Sequence, residues 1–328
     1  MKNWITNRYN GVVFGRTVIG EFLNVFYSLR LFLKYRFKTG NFKEKENQKA
    51  FLIKQYHIVE KGLALPSPRE NFGIPKIKIL LTQTLKFEEA YGYDNDISIP
   101  VRNVIKEYLK FNPNLTLVDN LLQKSLIDFS ENLEIENLIG GTKLLRKEQL
   151  INLTNIDYHN FVLSRSSVRD FKVEQVDRKD IRKAIDIAKN APSVCNRQNW
   201  KLHYYDDPDL KTQLLNMQHG NGGFTESIQG VFLVTSNLKG FTKMEQNQVF
   251  VDGGLISMNL VLALHHLGIG SCCLNTCFPY TREIKIKTRG NIPENERLIM
   301  MIGVGYWKDE FKVAYSKKKD VEDILTIH

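Results

Sequence analysis

Two guanidinium groups and two hydroxyls fall within five residues in the stretch Arg165-Ser166-Ser167-Val168-Arg169-Asp170-Phe171. Arginine presents a planar fork of donors that matches phosphoryl oxygens, and short hydroxyl side chains fill the remaining acceptor positions, so the stretch outlines an anion site. A solvated basic turn would use the same residue types, and the choice between the two rests on the rest of the chain. A second cluster, His57, Glu60 and Lys61, has the spacing that puts three side chains on one face of a helix. Catalysis is open to it, but an intrahelical ion pair is the simpler reading. The four cysteines, Cys195, Cys272, Cys273 and Cys277, lack the paired spacing of a zinc site. They read as reduced thiols of a cytosolic protein, with no metal.

The elements that must position these groups differ between the two halves. After residue 150 helices and strands alternate. Asp177 caps a helix over 178–190, strands are expected at 200–205 and 230–235 from their aromatic and β-branched residues, and further strands are expected at 271–274 and 297–306. Phe250–Leu267 is apolar most of the way round, with Val251, Leu255, Met258, Leu262 and His265 in one stripe and Leu260, Ala263, Leu264 and Leu267 in another, the pattern of a buried helix. Gly268 and Gly270 end it. The expected class is α+β, a sheet covered by helices. Before residue 150 no strand-rich run occurs, and helices are expected at 51–62, closed by Gly62, and near 77–91, 97–111 and 115–132. The division is therefore a helical extension over 1–150 and a sheet-containing domain over 151–328.

The formal net charge of +10 is concentrated at one end, since residues 1–50 hold ten Lys or Arg against three Glu. That distribution suits an anionic surface better than a nucleic-acid groove. Val18–Phe37 places Phe22, Val25, Phe26, Leu29 and Leu33 at helical spacing beside Arg30 and Lys34. It is an amphipathic basic helix, read first as docked on the protein's own core or on a dimer partner, and alternatively as a peripheral membrane contact. Its interrupting charges are unsuited to a transmembrane span, and no signal peptide is apparent.

Four blocks in order resemble the FMN-dependent nitroreductase family: the arginine–serine stretch, Ala191-Pro192-Ser193-Val194-Cys195-Asn196-Arg197-Gln198-Asn199-Trp200, Gly268-Ile269-Gly270-Ser271-Cys272-Cys273-Leu274-Asn275, and the basic tail Ser316-Lys317-Lys318-Lys319. The resemblance covers residues 160–328 and implies a nitroreductase-like mixed sheet preceded by an all-helical region. It further implies that Arg165, Ser167, Arg169 and Lys318 hold the FMN phosphate, with Ser166 and Ser316 also among the cofactor-binding residues. Pro192, Ser193 and Asn196 would reach the flavin from the opposite protomer of a homodimer. Cys273 and Leu274 would pack on the ring, and the backbone near Leu274, Asn275 and Thr276 would face its N5 and O4 edge. Asn199 stands where the family usually has proline, and lysine replaces a more frequent arginine in the tail.

The expected function is an FMN oxidoreductase that passes electrons from a reduced donor, NADPH or NADH, to a small organic acceptor by a ping-pong mechanism. No glycine fingerprint for a dinucleotide occurs, and no side chain stands out as acid or base. The segment His57-Ile58-Val59-Glu60-Lys61-Gly62 resembles extensions of nitroreductase-like proteins in surface-polysaccharide clusters. The alternative is a flavin-binding or membrane-surface interaction protein without nicotinamide-driven turnover.

Overall fold

A computed structural model describes residues 2–37, 42, 44–65, 67–130, 140–142, 156–311, 313 and 320–328. The first half is helical throughout its described part: α1 (Lys2–Tyr35), α2 (Lys45–Leu63), α3 (Ile74–Tyr91), α4 (Asn95–Phe111) and α5 (Thr116–Ser130). Helices α2 to α5 close on a core of their own that includes Leu52, Tyr56, Ile77, Leu80, Val104, Tyr108 and Leu126. Pro75 sits in the first turn of α3, where its missing N–H costs nothing. Asp94 caps α4, its carboxylate accepting from the Asp96 N–H at 3.2 Å. Arg102 of α4 forks onto the Glu88 carboxylate of α3, one limb at 2.8 Å, and ties the two helices together. His57 and Glu60 form the expected intrahelical pair at 3.0 Å, and Glu60 also accepts from the Gly141 N–H.

Gly62 does not end its helix as expected. The helix runs on to Leu63 and is capped by Ala64 in an ordinary right-handed conformation. The glycine is there for space, because a Cβ would lie 2.2 Å from the Phe72 ring.

The second half begins with α6 (Tyr158–Ser164) and α7 (Arg178–Ala188), then β1 (Trp200–Tyr205), α8 (Pro208–Asn216), β2 (Gly230–Asn237), α9 (Gln248–His266), β3 (Ile269–Leu274), α10 (Tyr280–Arg289) and β4 (Glu296–Tyr306). The sheet order is β1-β2-β4-β3, with every strand pairing antiparallel. Among the described residues its parallel component is a single bridge between Ser167 and Ser271. Alternation along β2 sends Phe232 and Val234 to a face covered by α7 and α9, and Val231 and Leu233 to a face covered by α8 and α10. The fold is α+β.

Two amphipathic faces depart from simple burial. Helix α1 docks on the second half through Tyr27, Leu31 and Phe32, which bury against Leu238, Phe241 and Val249. Its other face leaves Phe22, Val25, Phe26, Leu29 and Leu33 exposed. In α9 the expected burial holds for Ile256, Leu260 and Leu264, whereas Val251, Leu255 and Met258 lie on the surface beside Phe250. Among the described residues, these four side chains keep between 41% and 51% of their surface exposed.

Candidate cofactor site

The arginine–serine stretch leaves α6 in extended conformation and lies along the edge of β3. The Val168 N–H donates to the Ser271 carbonyl at 3.0 Å, and the Lys172 N–H donates to that of Tyr306 at 3.0 Å. Val168 and Phe171 turn into the core and anchor the stretch, while Arg165, Ser166, Ser167 and Arg169 remain solvent-accessible. Gly270 permits this approach, since a Cβ there would meet Val168, Phe171 and Trp307 at about 3 Å.

Asp170, the acid inside the stretch, is engaged by Lys308 at 2.6 Å. Among the described residues neither Arg165 nor Arg169 is paired with a carboxylate; Arg169 makes one long contact of 3.4 Å to the Ser167 carbonyl. Guanidiniums and hydroxyls are the donor types that suit a phosphoryl group. Arg165 and Ser166 line a cavity of about 330 Å³ together with His265, Ser271, Trp307 and Phe311. Arg169 lines a different cavity, of about 800 Å³, with Phe224, Thr225 and Ser227. Ser316 and Lys318 lie outside the described residues.

His265 was legible in the sequence only as part of an apolar stripe. Its Nε2 meets the Ser164 hydroxyl at 2.8 Å, and its ring packs between Phe161 and Trp307. Burial, helped by the Arg165 charge, holds its pKa below the ordinary histidine value. Burial likewise pushes the Cys272 thiol up, partly offset by the charge of Arg169.

The 191–200 block forms a loop with an unusual backbone. Cys195, Asn196 and Gln198 have φ of +50°, +51° and +51°, the left-handed region that side chains disfavour. Ser193 is half-buried and its hydroxyl accepts from the Gln198 N–H at 2.9 Å; Pro192 and Asn196 are exposed. Behind the loop, Arg197 is buried and donates to the Val194 carbonyl (3.1 Å), the Gly240 carbonyl (2.6 Å) and Glu245 (2.9 Å). Asn199, the residue in the family's proline position, donates to the same Gly240 carbonyl at 3.0 Å. The fully buried Asp252 of α9 accepts from the Val194 N–H at 3.2 Å. Its pKa is raised by burial, which outweighs the hydrogen bonds from Gln248 and Val194. Neither Arg197 nor Asp252 stood out in the sequence, because a buried charge is recognised by its partners.

At the end of β3, Cys273 is exposed and Leu274 is not. Leu274 retains 4% exposure and its side chain packs in the core under the sheet. The alternation of a strand requires this, since adjacent side chains point to opposite faces. Asn275 is exposed, its side-chain carbonyl accepting from the Cys277 N–H at 3.0 Å, and the Thr276 hydroxyl donates to the Ile299 carbonyl at 3.0 Å.

The chain is similar to the following known proteins. The profile of the Nitroreductase family matches residues 162–224 and 216–306. A protein of Archaeoglobus fulgidus, provisionally named NADH dehydrogenase/NAD(P)H nitroreductase, is 28% identical over 152 residues, covering 45% of this chain and 84% of that protein. CLA biosynthesis enone reductase of Lactiplantibacillus plantarum is 36% identical over 117 residues, covering 34% of this chain and 54% of that protein. Among solved structures, an FMN-dependent nitroreductase from Clostridium difficile has 20% identity and a TM-score of 0.45, covering 51% of this chain and 98% of that one.

Proposed function

We propose that this chain, whose residues 162–224 and 216–306 match the profile of the Nitroreductase family, is an FMN-dependent oxidoreductase acting between a reduced nicotinamide and a small organic acceptor. The observation that carries the reading is the pair of guanidiniums, Arg165 and Arg169, left without carboxylate partners among the described residues and flanking the Ser167–Ser271 bridge. When bound, FMN supplies hydride acceptance and onward electron transfer; the protein binds it, orients it and limits solvent access. Arg165, Ser166, Ser167 and Arg169 neutralise the phosphate, joined by Ser316 and Lys318 from the tail. Cys273, Asn275 and Thr276, with the Leu274 backbone, border the ring, and backbone donors fixed there stabilise developing negative charge.

The same reading makes the active form a homodimer in which Pro192, Ser193 and Asn196 belong to the neighbouring protomer's site. The exposed apolar stripe of Phe250, Val251, Leu255 and Met258 on α9 supports a second copy as its cover. Sedimentation velocity tests that part, and a monomer at micromolar concentration would end it. The nicotinamide donor is supported by the name of the Archaeoglobus fulgidus relative. A dedicated acceptor, such as an intermediate of surface-polysaccharide synthesis, is a narrower version; rapid turnover of unrelated quinones would contradict it.

A second reading, for the same cytoplasmic protein, is peripheral membrane attachment through α1. The outward row Phe22, Val25, Phe26, Leu29 and Leu33 favours it. Liposome flotation of the whole protein and of a Phe22→Ser, Phe26→Ser variant decides it, equal partitioning counting against. For the main reading, anaerobic mixing of FMN-loaded protein with NADPH or NADH should bleach the flavin spectrum. Bound FMN that neither donor reduces would leave a flavin-binding protein without nicotinamide-driven turnover.

A further inference from the structure

We infer that Arg197 and Asp252 are positioning residues that grip the Val194 backbone at its carbonyl and its N–H and hold the 193–198 loop in its working shape before any flavin arrives. The inference rests on the proposed role of that loop at the flavin. It goes further by assigning a function to two buried charges that touch neither the anion stretch nor the end of β3.

The geometry is specific to one residue. The Val194 N–H donates to Asp252, whose two carboxylate oxygens both lie at 3.2 Å, and the Val194 carbonyl accepts from Arg197 Nε at 3.1 Å. Arg197 and Asp252 retain 3% and 0% exposure. Burying an arginine and an acid at a loop is unfavourable unless the charges are committed to partners. Here every partner belongs to the loop or to its support: Gly240, Glu245 and Gln248 complete the two hydrogen-bond sets.

The loop needs such a hold. Cys195, Asn196 and Gln198 all occupy the left-handed backbone region, and non-glycine residues persist there only when the surroundings over-determine them. Val194, immediately before them, is the point at which a grip sets the direction of Ser193 and the start of the strained turn. The same support reaches the helical extension. The Gly240 carbonyl takes both Arg197 and Asn199, the adjoining Lys239 carbonyl accepts from Asn47 of α2 at 2.6 Å, and the Phe37 N–H donates to the Phe241 carbonyl at 3.0 Å. Through the turn at 238–241, the first half of the chain thus braces the back of the loop that faces the flavin.

Two measurements test the inference. Asp252→Asn, Arg197→Met and Arg197→Lys are compared with the wild type for FMN dissociation constant by flavin fluorescence quenching, visible circular dichroism of bound FMN, and far-ultraviolet circular dichroism of the flavin-free form. The expected result is a folded Arg197→Met protein with about tenfold weaker FMN binding and an altered visible dichroism, partly restored in Arg197→Lys. Folded variants with wild-type affinity and unchanged dichroism would overturn it. The second measurement needs no variant: amide hydrogen exchange at Val194 in the wild type should be slow without FMN and stay slow with it. Fast exchange that slows only on FMN addition would mean that the ligand shapes the loop, against the inference. A wild type that binds no FMN would instead defeat the functional reading, leaving the exchange result to stand by itself.

Discussion

Ser167 and Ser271 face one another across a parallel bridge, and the Val168 N–H closes it onto the Ser271 carbonyl at 3.0 Å. That contact sets the arginine–serine stretch against the strand whose far end carries Cys273 and Asn275. Two blocks distant in sequence become one surface, with positive charge at one end.

Arg165→Ala and Arg169→Ala should each weaken FMN binding tenfold to a hundredfold, on the order of the 1.5–3 kcal/mol of a hydrogen bond to a charged group. Neither should shift the melting temperature of the flavin-free protein by more than about a degree or two, because among the described residues neither side chain has a carboxylate partner to lose. Fluorescence titration and calorimetry on the same preparations check both halves.

Gly62→Ala should destabilise the protein by about 1–3 kcal/mol, although alanine is the better helix former. The new methyl would collide with Phe72, which packs against Tyr108 at a ring separation of 5.4 Å. Urea unfolding gives the number, and a stabilised variant would contradict the packing explanation.

The Arg102–Glu88 fork predicts an acid-sensitive contribution from the helical half. Burial works to raise the Glu88 pKa, but the hydrogen bonds from Arg102 and Ser98 and the Arg102 charge outweigh it and leave the pKa below the ordinary 4.5. The associated stability is present above about pH 4.5 and is lost as pH falls through the lower folded value. Arg102→Met should cost about 3 kcal/mol at neutral pH and flatten this acid limb in melting curves recorded from pH 7 to 3.

Leu31→Ala should loosen α1. Leu31 is fully buried against the second half, and deletion of such a side chain typically costs 2–5 kcal/mol. The prediction is faster amide exchange across residues 24–35 with little change around Leu80 or Val104, which belong to a separate core.

Much of this architecture was legible in the chain. Strand β1 falls on the residues expected, and β2 to β4 and α9 differ only at their ends, because period-two and period-3.6 patterns report burial directly. Helices α8 and α10 were missed, being short and polar on their outer faces. The surface stripe of α9 misled, since an apolar side chain reads alike whether it meets its own core or another chain. Gly62 was misread because a glycine needed for space looks like one needed for backbone freedom. In the candidate site, the two arginines stand out in the sequence by type and spacing. Arg197 and Asp252 do not, since their meaning lies in the Val194 backbone between them, which only the fold brings to both.

The central claim is that the Arg165–Arg169 stretch and the end of β3 hold FMN, and equilibrium titration of purified, flavin-free protein tests it most directly. The account predicts saturable binding of one FMN per chain, with a perturbed visible spectrum and quenched flavin fluorescence, lost in an Arg165→Ala, Arg169→Ala double variant that remains folded. Protein that leaves the FMN spectrum unchanged at saturating concentration, or a double variant that binds as tightly as wild type, would contradict it.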